Sequence, residues 1–195
     1  MKIVELTFTE PLLATCAGNK EVATEFILNK HPNGEAAADE LESLETEAET
    51  LEKASTVFPR LADDKPFLWD YQVKGFFKDA ASMLNRALPK EKQLKAHKKV
   101  IDGLIFVKPR KIKINLSGGI TVIERPLRAS TAQGERIALA RSEAAPAGST
   151  VRFEIVCLLD KLIPAIKSWL DYGQMRGLGQ WRNSGMGRFD WCEIE

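Results

Sequence analysis

The sequence predicts an α+β fold, and three observations lead there. Apolar residues alternate with polar ones over residues 2–9 and 150–159, the signature of strands with one buried face. Apolar residues recur at helical spacing over residues 70–87 and again from Asp160 onward. With the insertion-like stretches set aside, the order of elements is strand, helix, two strand regions, helix, strand, which is the βαββαβ order of a ferredoxin-like, RRM-like core.

Val4, Leu6 and Phe8 share one face of the first strand, which Pro11 closes. A short helical run is expected from about Glu21 to Asn29, reaching a turn at His31-Pro32-Asn33-Gly34. Between Glu35 and Ala54, Leu41, Leu44, Ala48 and Leu51 recur among glutamates, which reads as a narrow-striped, mostly solvated helix inserted into the core. After turns at Phe58-Pro59-Arg60 and Asp63-Asp64-Lys65-Pro66, Asp70 is expected to cap a helix whose apolar face is Val73, Phe76, Phe77, Ala80, Leu84 and Ala87 and which ends at Pro89. Lys74 and Lys78 fall one turn apart on that helix; ordinary helix solubility accounts for such a pair taken alone.

A basic helical connector over 90–102 leads to an apolar strand at Leu104–Val107. Lys111–Leu116 and Ile120–Ile123 are read as a hairpin about the Ser117-Gly118-Gly119 turn, and Arg125–Gly134 as an ordered polar loop of the kind that carries ligand contacts. A turn at Pro146–Ser149 precedes the 150–159 strand. In the helix that follows, Leu162, Ile163, Ile166, Trp169 and Leu170 point one way and Pro164 is tolerated in the first turn. Gly173 is expected to end it, and a last strand runs from about Phe189 to Ile194. The chain thus reads as one domain, 1–195, with an acidic helical insertion at about 20–56 and a basic insertion at about 89–149.

Charge is segregated rather than large. Lys plus Arg number 28 against 27 Asp plus Glu, a net +1, yet residues 35–52 hold eight acids and no base while 72–136 hold fifteen bases and five acids. Such segregation sets up local fields that the net charge hides. Cys16, Cys157 and Cys192 are odd in number and widely spaced, which argues against a disulfide scaffold and against a structural zinc site, and points to a reducing cytoplasm. Carboxylates cluster without interleaved ligands, so no metal site and no cofactor is expected. No window reaches the roughly 20 apolar residues of a membrane span.

The strongest functional signal is the stretch Arg176-Gly177-Leu178-Gly179-Gln180-Trp181-Arg182-Asn183-Ser184-Gly185-Met186-Gly187-Arg188, with four glycines, three arginines and no acid. Glycines of this density permit positive φ or close backbone approach, and turn amides with guanidinium groups make a cradle for anions. The spacing fits neither the dinucleotide fingerprint nor the Walker loop. A plain glycine-rich turn, with Trp181 packed inward and the arginines solvated, is the competing reading.

That loop, placed between the second helix and the last strand, resembles the signature loop of the RAMP superfamily, the RNA-binding proteins of CRISPR effector complexes. Trp69-Asp70-Tyr71-Gln72-Val73-Lys74-Gly75-Phe76 resembles the segment by which that family enters its first helix. Arg128–Gly134 and Glu143–Ile155 are similar to the region before the penultimate core strand of the guide-RNA-binding backbone subunits. The chain is also similar to small proteins of phages and prophages of Gram-positive bacteria. It departs from the backbone subunits in being short and in carrying its acidic insertion where they carry a thumb-like element.

The resemblance implies binding of single-stranded RNA or DNA, with possible self-association along the strand, through Lys74, Lys78, Arg125, Arg128, Arg176, Gly177, Gly179, Trp181, Arg182, Gly185, Gly187 and Arg188. Stacking of a base on Trp181 would contribute about 1–3 kcal/mol. A second reading is a protein that docks onto or mimics a CRISPR backbone subunit. A third is a metal-independent endoribonuclease, which needs a general base near neutral pKa. Only His31 and His97 are available for that role, and neither has a carboxylate partner recognisable in the sequence.

Overall fold

The computed structural model describes residues 2–17, 55–131 and 134–194. The helical run at 21–29, His31 and the acidic helix at 35–54 lie outside the described residues.

The first sheet is built on β1 (Lys2–Phe8), whose alternation buries Val4, Leu6 and Phe8. β1 pairs antiparallel with β10 (Thr150–Cys157) on one side and with β11 (Phe189–Ile194) on the other. Beyond β10 lie β6 (Ile105–Lys108) and β7 (Lys111–Asn115), both antiparallel to it. Ile105 faces Cys157 and Ile114 faces Val151, so the residue sums of paired positions rise from 262 to 265 across Pro109. β6 and β7 are therefore one core strand interrupted by a three-residue bulge. Counting them as one gives the order fourth, first, third, second, which is the ferredoxin-like sheet. β5 (Phe67–Trp69) adds an edge strand outside β7.

Two helices cover one face of this sheet. α1 (Asp70–Ala87) buries Val73, Phe76, Phe77, Ala80 and Ala81, while α3 (Ile163–Arg176) buries Ile166, Trp169, Leu170 and Gly173. Asp70 is the first helical residue rather than the cap. Trp69 holds the cap position, and its N–H donates to Gln72 Oε1 at 2.8 Å. Ala87 is exposed, and the buried face of the helix ends at Ala81. Gly173 does not end α3. A Cβ there would lie 2.1 Å from the Phe189 ring, so the glycine is a notch that lets α3 settle onto β11, and Gly177 ends the helix further on. Between α1 and β6, α2 (His97–Leu104) packs Ile101 into the core and occupies part of the basic connector.

A second sheet, absent from the sequence reading, stands beside the first. β8 (Thr121–Thr131) and β9 (Gly134–Ala145) form a long antiparallel hairpin, in place of the β7–β8 hairpin and polar loop expected from the sequence. The far side of β9 carries β2 (Leu12–Leu13) and β4 (Ser55–Val57), and β4 carries β3 (Cys16–Ala17). Pro126 hides this pattern in the sequence. It is accommodated because β8 pairs with β9 alone among the described residues, and an edge strand tolerates proline. The stretch read as a basic insertion at about 89–149 accordingly contains two pieces of the core sheet as well as the hairpin.

Candidate functional site

The glycine loop sits where the two sheets meet. α3 stops at Gly177, whose φ of +76 leaves helical space, and Leu178 turns inward to the core at 4% exposure. Trp181, at φ +53, starts a single 3-10 turn over Arg182–Ser184, which Gly185 closes. The loop then leans on the segment between β1 and β2. Gly187 N donates to Pro11 O at 2.9 Å, Thr9 N to Arg188 O at 2.9 Å, and Leu178 N closes the loop on Gly187 O at 2.8 Å.

Close backbone approach is thus real, and much of it is made by the chain to itself. A Cβ on Gly187 would lie 1.9 Å from Leu178 O, one on Gly177 2.4 Å from Met186 O, and one on Gly179 2.7 Å from Leu13 O. Gly185 differs: the nearest atoms to its Cβ position are in the Arg188 guanidinium, from 3.6 Å. The amides of Gly177, Leu178, Ser184, Gly185 and Gly187 all donate within the chain, so an anion at this loop would rely chiefly on side chains.

Those side chains converge. Arg176 Nε and Arg182 Nη1 both reach Asp79 Oδ2, at 3.2 and 2.8 Å, and Arg176 also donates to Asn183 Oδ1. Arg125, from β8 of the second sheet, lays its guanidinium 5.1 Å from the centroid of the Trp181 ring and donates to Ser184 Oγ at 3.1 Å. Arg188 is exposed and donates through Nε to Met175 O at 3.0 Å, near the C-terminal end of α3, where a cation is favoured. Arginines from three elements therefore meet at the loop, one against the half-buried Trp181 ring and two sharing a single carboxylate. Arg128 stands on the same strand as Arg125, in register with Ile137.

Lys74 and Lys78 do not join this cluster. Lys78 Nζ pairs with Asp102 Oδ1 of α2 at 2.6 Å, while Lys74 donates to Asp102 O at 3.2 Å and lies 5.3 Å from the Phe106 ring centroid. At about 100° per residue, Lys74 and Lys78 fall on the flank of α1 facing α2 and β6, and Asp79 falls on the flank facing α3. Asp79 is the residue that sequence reasoning missed. Its partners lie 97 and 103 positions away, so no local spacing announces them.

His97 opens α2, and its Nε2 is buried without a hydrogen-bond partner; no carboxylate among the described residues orients it as a base. His31 is outside the described residues. None of Cys16, Cys157 and Cys192 is in a disulfide. Among the described residues no group of three or more His, Cys, Asp or Glu is placed to hold a metal ion, and no helix is long and apolar enough to cross a membrane.

No family model matches this sequence, and no curated protein matches it. Solved structures do match. A chain from the cryo-electron-microscopy structure of the type III-B Cmr-beta complex bound to cognate target RNA aligns over all of this chain at 14% identity and a TM-score of 0.53. A chain of a type IV-B CRISPR complex aligns over 99% of this chain and 90% of its own, at 8% identity and a TM-score of 0.48. This chain spans 60% of the length of the Cmr-beta chain. The Cmr-beta likeness is one of fold, an α+β ferredoxin-like core.

Proposed function

We propose that this protein is a RAMP-like, sequence-independent binder of single-stranded nucleic acid, gripping the phosphate backbone at the junction of the glycine loop and β8. The observation that carries the reading is the gathering of three arginines at the glycine loop, Arg125 against the half-exposed Trp181 ring and Arg176 and Arg182 sharing Asp79. Guanidinium groups bond phosphate oxygens through a planar fork, and an aromatic ring accepts any base on its face. Asp79 offsets one of the two positive charges it touches, so the cluster keeps a net positive charge without leaving its arginines unheld. That the Cmr-beta complex is bound to target RNA agrees with this reading.

The test is a fluorescence titration with labelled single strands at several salt concentrations. Arg182→Ala and Arg125→Ala are expected to weaken binding to all sequences and to flatten the log–log salt dependence by roughly 0.7 for each phosphate that the variant no longer neutralises. A salt-insensitive affinity would count against the electrostatic grip and favour docking onto a protein partner.

A further inference from the structure

We propose that the outer face of α2 and the connector leading into it form a second surface for a nucleic-acid phosphate backbone, separate from the glycine loop. Lys90, Lys92, Lys95, Lys98 and Lys99 are all exposed, and none makes an ion pair with a described residue. Two acids stand between Lys90 and Leu104. One, Asp102, is exposed but pairs with Lys78 and Lys74 of α1, so α2 presents its lysines without the compensation that Asp102 would give Lys98 one turn earlier.

The scaffold under these lysines is fixed. Asn85 of α1 accepts from Leu94 N and donates to Leu94 O, both at 3.1 Å, and Gln93 Nε2 donates to Leu88 O at 2.9 Å. Ile101 is fully buried and anchors α2 from below. Ala96 holds a left-handed conformation, φ +50, immediately before the helix, a strain of about 1–2 kcal/mol that the surroundings sustain. Like charges held on a rigid support repel one another, and a polyanion laid across them relieves the repulsion.

The chemistry names the partner. Ammonium groups are point charges without the planar fork of arginine, and apart from the His97 imidazole no aromatic ring lies between Lys90 and Leu104. Beyond that half-buried imidazole the segment offers no ring on which to stack a base. It suits a sugar–phosphate backbone read by charge alone. α2 packs on the flank of α1 opposite Asp79, so this surface stands apart from the loop and does not depend on the loop's role.

The experiment measures anisotropy of a labelled uridine homopolymer of about 40 nucleotides between about 50 and 200 mM salt. The parent is compared with K95Q/K98Q/K99Q, with K95R/K98R/K99R and with Arg182→Ala. Neutralising three phosphate-facing lysines, at roughly 0.7 each, should reduce the salt slope by about 2, so that the parent loses about 20-fold more affinity than the glutamine variant across that range. The arginine variant should retain the parent slope. A glutamine variant that keeps both the affinity and the slope of the parent would overturn the proposal, as would a parent that does not bind the homopolymer at the lowest salt. Arg182→Ala reports on the loop independently, so the two sites fail separately. Should the triple glutamine variant not fold, Lys95→Gln and Lys99→Gln alone are expected to lower the slope by about 0.7 each, and unchanged slopes in both would overturn it equally.

Discussion

Replacing Gly187 by alanine separates what the loop glycines do for the fold from what they do for a ligand. The new Cβ would sit 1.9 Å from Leu178 O and 3.0 Å from Leu178 C, both backbone atoms, so no side-chain rotation relieves it. The backbone must shift, and the bonds from Leu178 N to Gly187 O and from Gly187 N to Pro11 O are the first to lengthen. Positive φ in a residue with a Cβ costs about 1–2 kcal/mol. Two weakened hydrogen bonds add about 0.5–1.5 kcal/mol each. Together these give about 2–5 kcal/mol, which for a domain of this size is a fall in melting temperature of roughly 5–15 °C. Gly185→Ala is the control. Its φ of +87 carries the same conformational cost, but no atom lies closer than 3.6 Å to its Cβ position, so a loss of only about 1–2 kcal/mol is expected. Thermal and urea melts of the two variants decide the matter. Equal destabilisation would refute the claim that the chain's own backbone fills the space beside Gly187.

Asp79→Asn should raise affinity for single strands about threefold at low salt, since removing a unit charge roughly 7 Å from a phosphate is worth about 0.6 kcal/mol in a water-like dielectric; weaker binding in the same titration would show that Asp79 serves to aim Arg176 and Arg182. Gly173→Ala should cost about 1–3 kcal/mol in a urea melt, as the buried Phe189 ring has no space to yield. The Asp63 carboxyl is held below its ordinary 3.8 by the hydrogen bond from Lys65. Its folded pKa is thus below the unfolded one, and its contribution to stability is present above the unfolded value and lost as pH falls through the folded value. Lys65→Ala should move the titration midpoint of the Asp63 carboxyl back up, read by NMR. Light scattering with oligonucleotides of increasing length should show several copies recruited to longer strands, and a single copy at every length would rule out assembly along the strand.

β1, β10 and the two covering helices were legible because a one-sided core writes itself into the chain with a period, whereas β5 was not read as a strand and β7 was assigned to a hairpin with 120–123. Val4, Leu6 and Phe8, then Val151, Phe153 and Ile155, had to alternate to reach the same helices. The hairpin of β8 and β9 was not, since a proline and several polar residues blur its alternation and its pairing is recognisable only across the turn. Gly173 read as a stop because glycine ends helices far more often than it makes room for an aromatic ring. At the site, the loop itself was conspicuous in the sequence, and so were its arginines. Which cations share a surface was not: Lys74 and Lys78 belong to one flank of α1 and Asp79 to the other, a division decided by what packs on each side.

The short stretch from Thr9 to Ala14 connects more than its length suggests. Thr9 and Pro11 bond the glycine loop, Leu12 and Leu13 pair with β9, and Ala14 N donates to Glu143 O. The loop and the β8–β9 sheet therefore hang from the same few residues, as two jaws share a pin. A shift of the loop would pull on Pro11, and a tilt of the hairpin would pull on Leu12 and Leu13, so each would be felt by the other. Loosening that pin is what would let the two move independently.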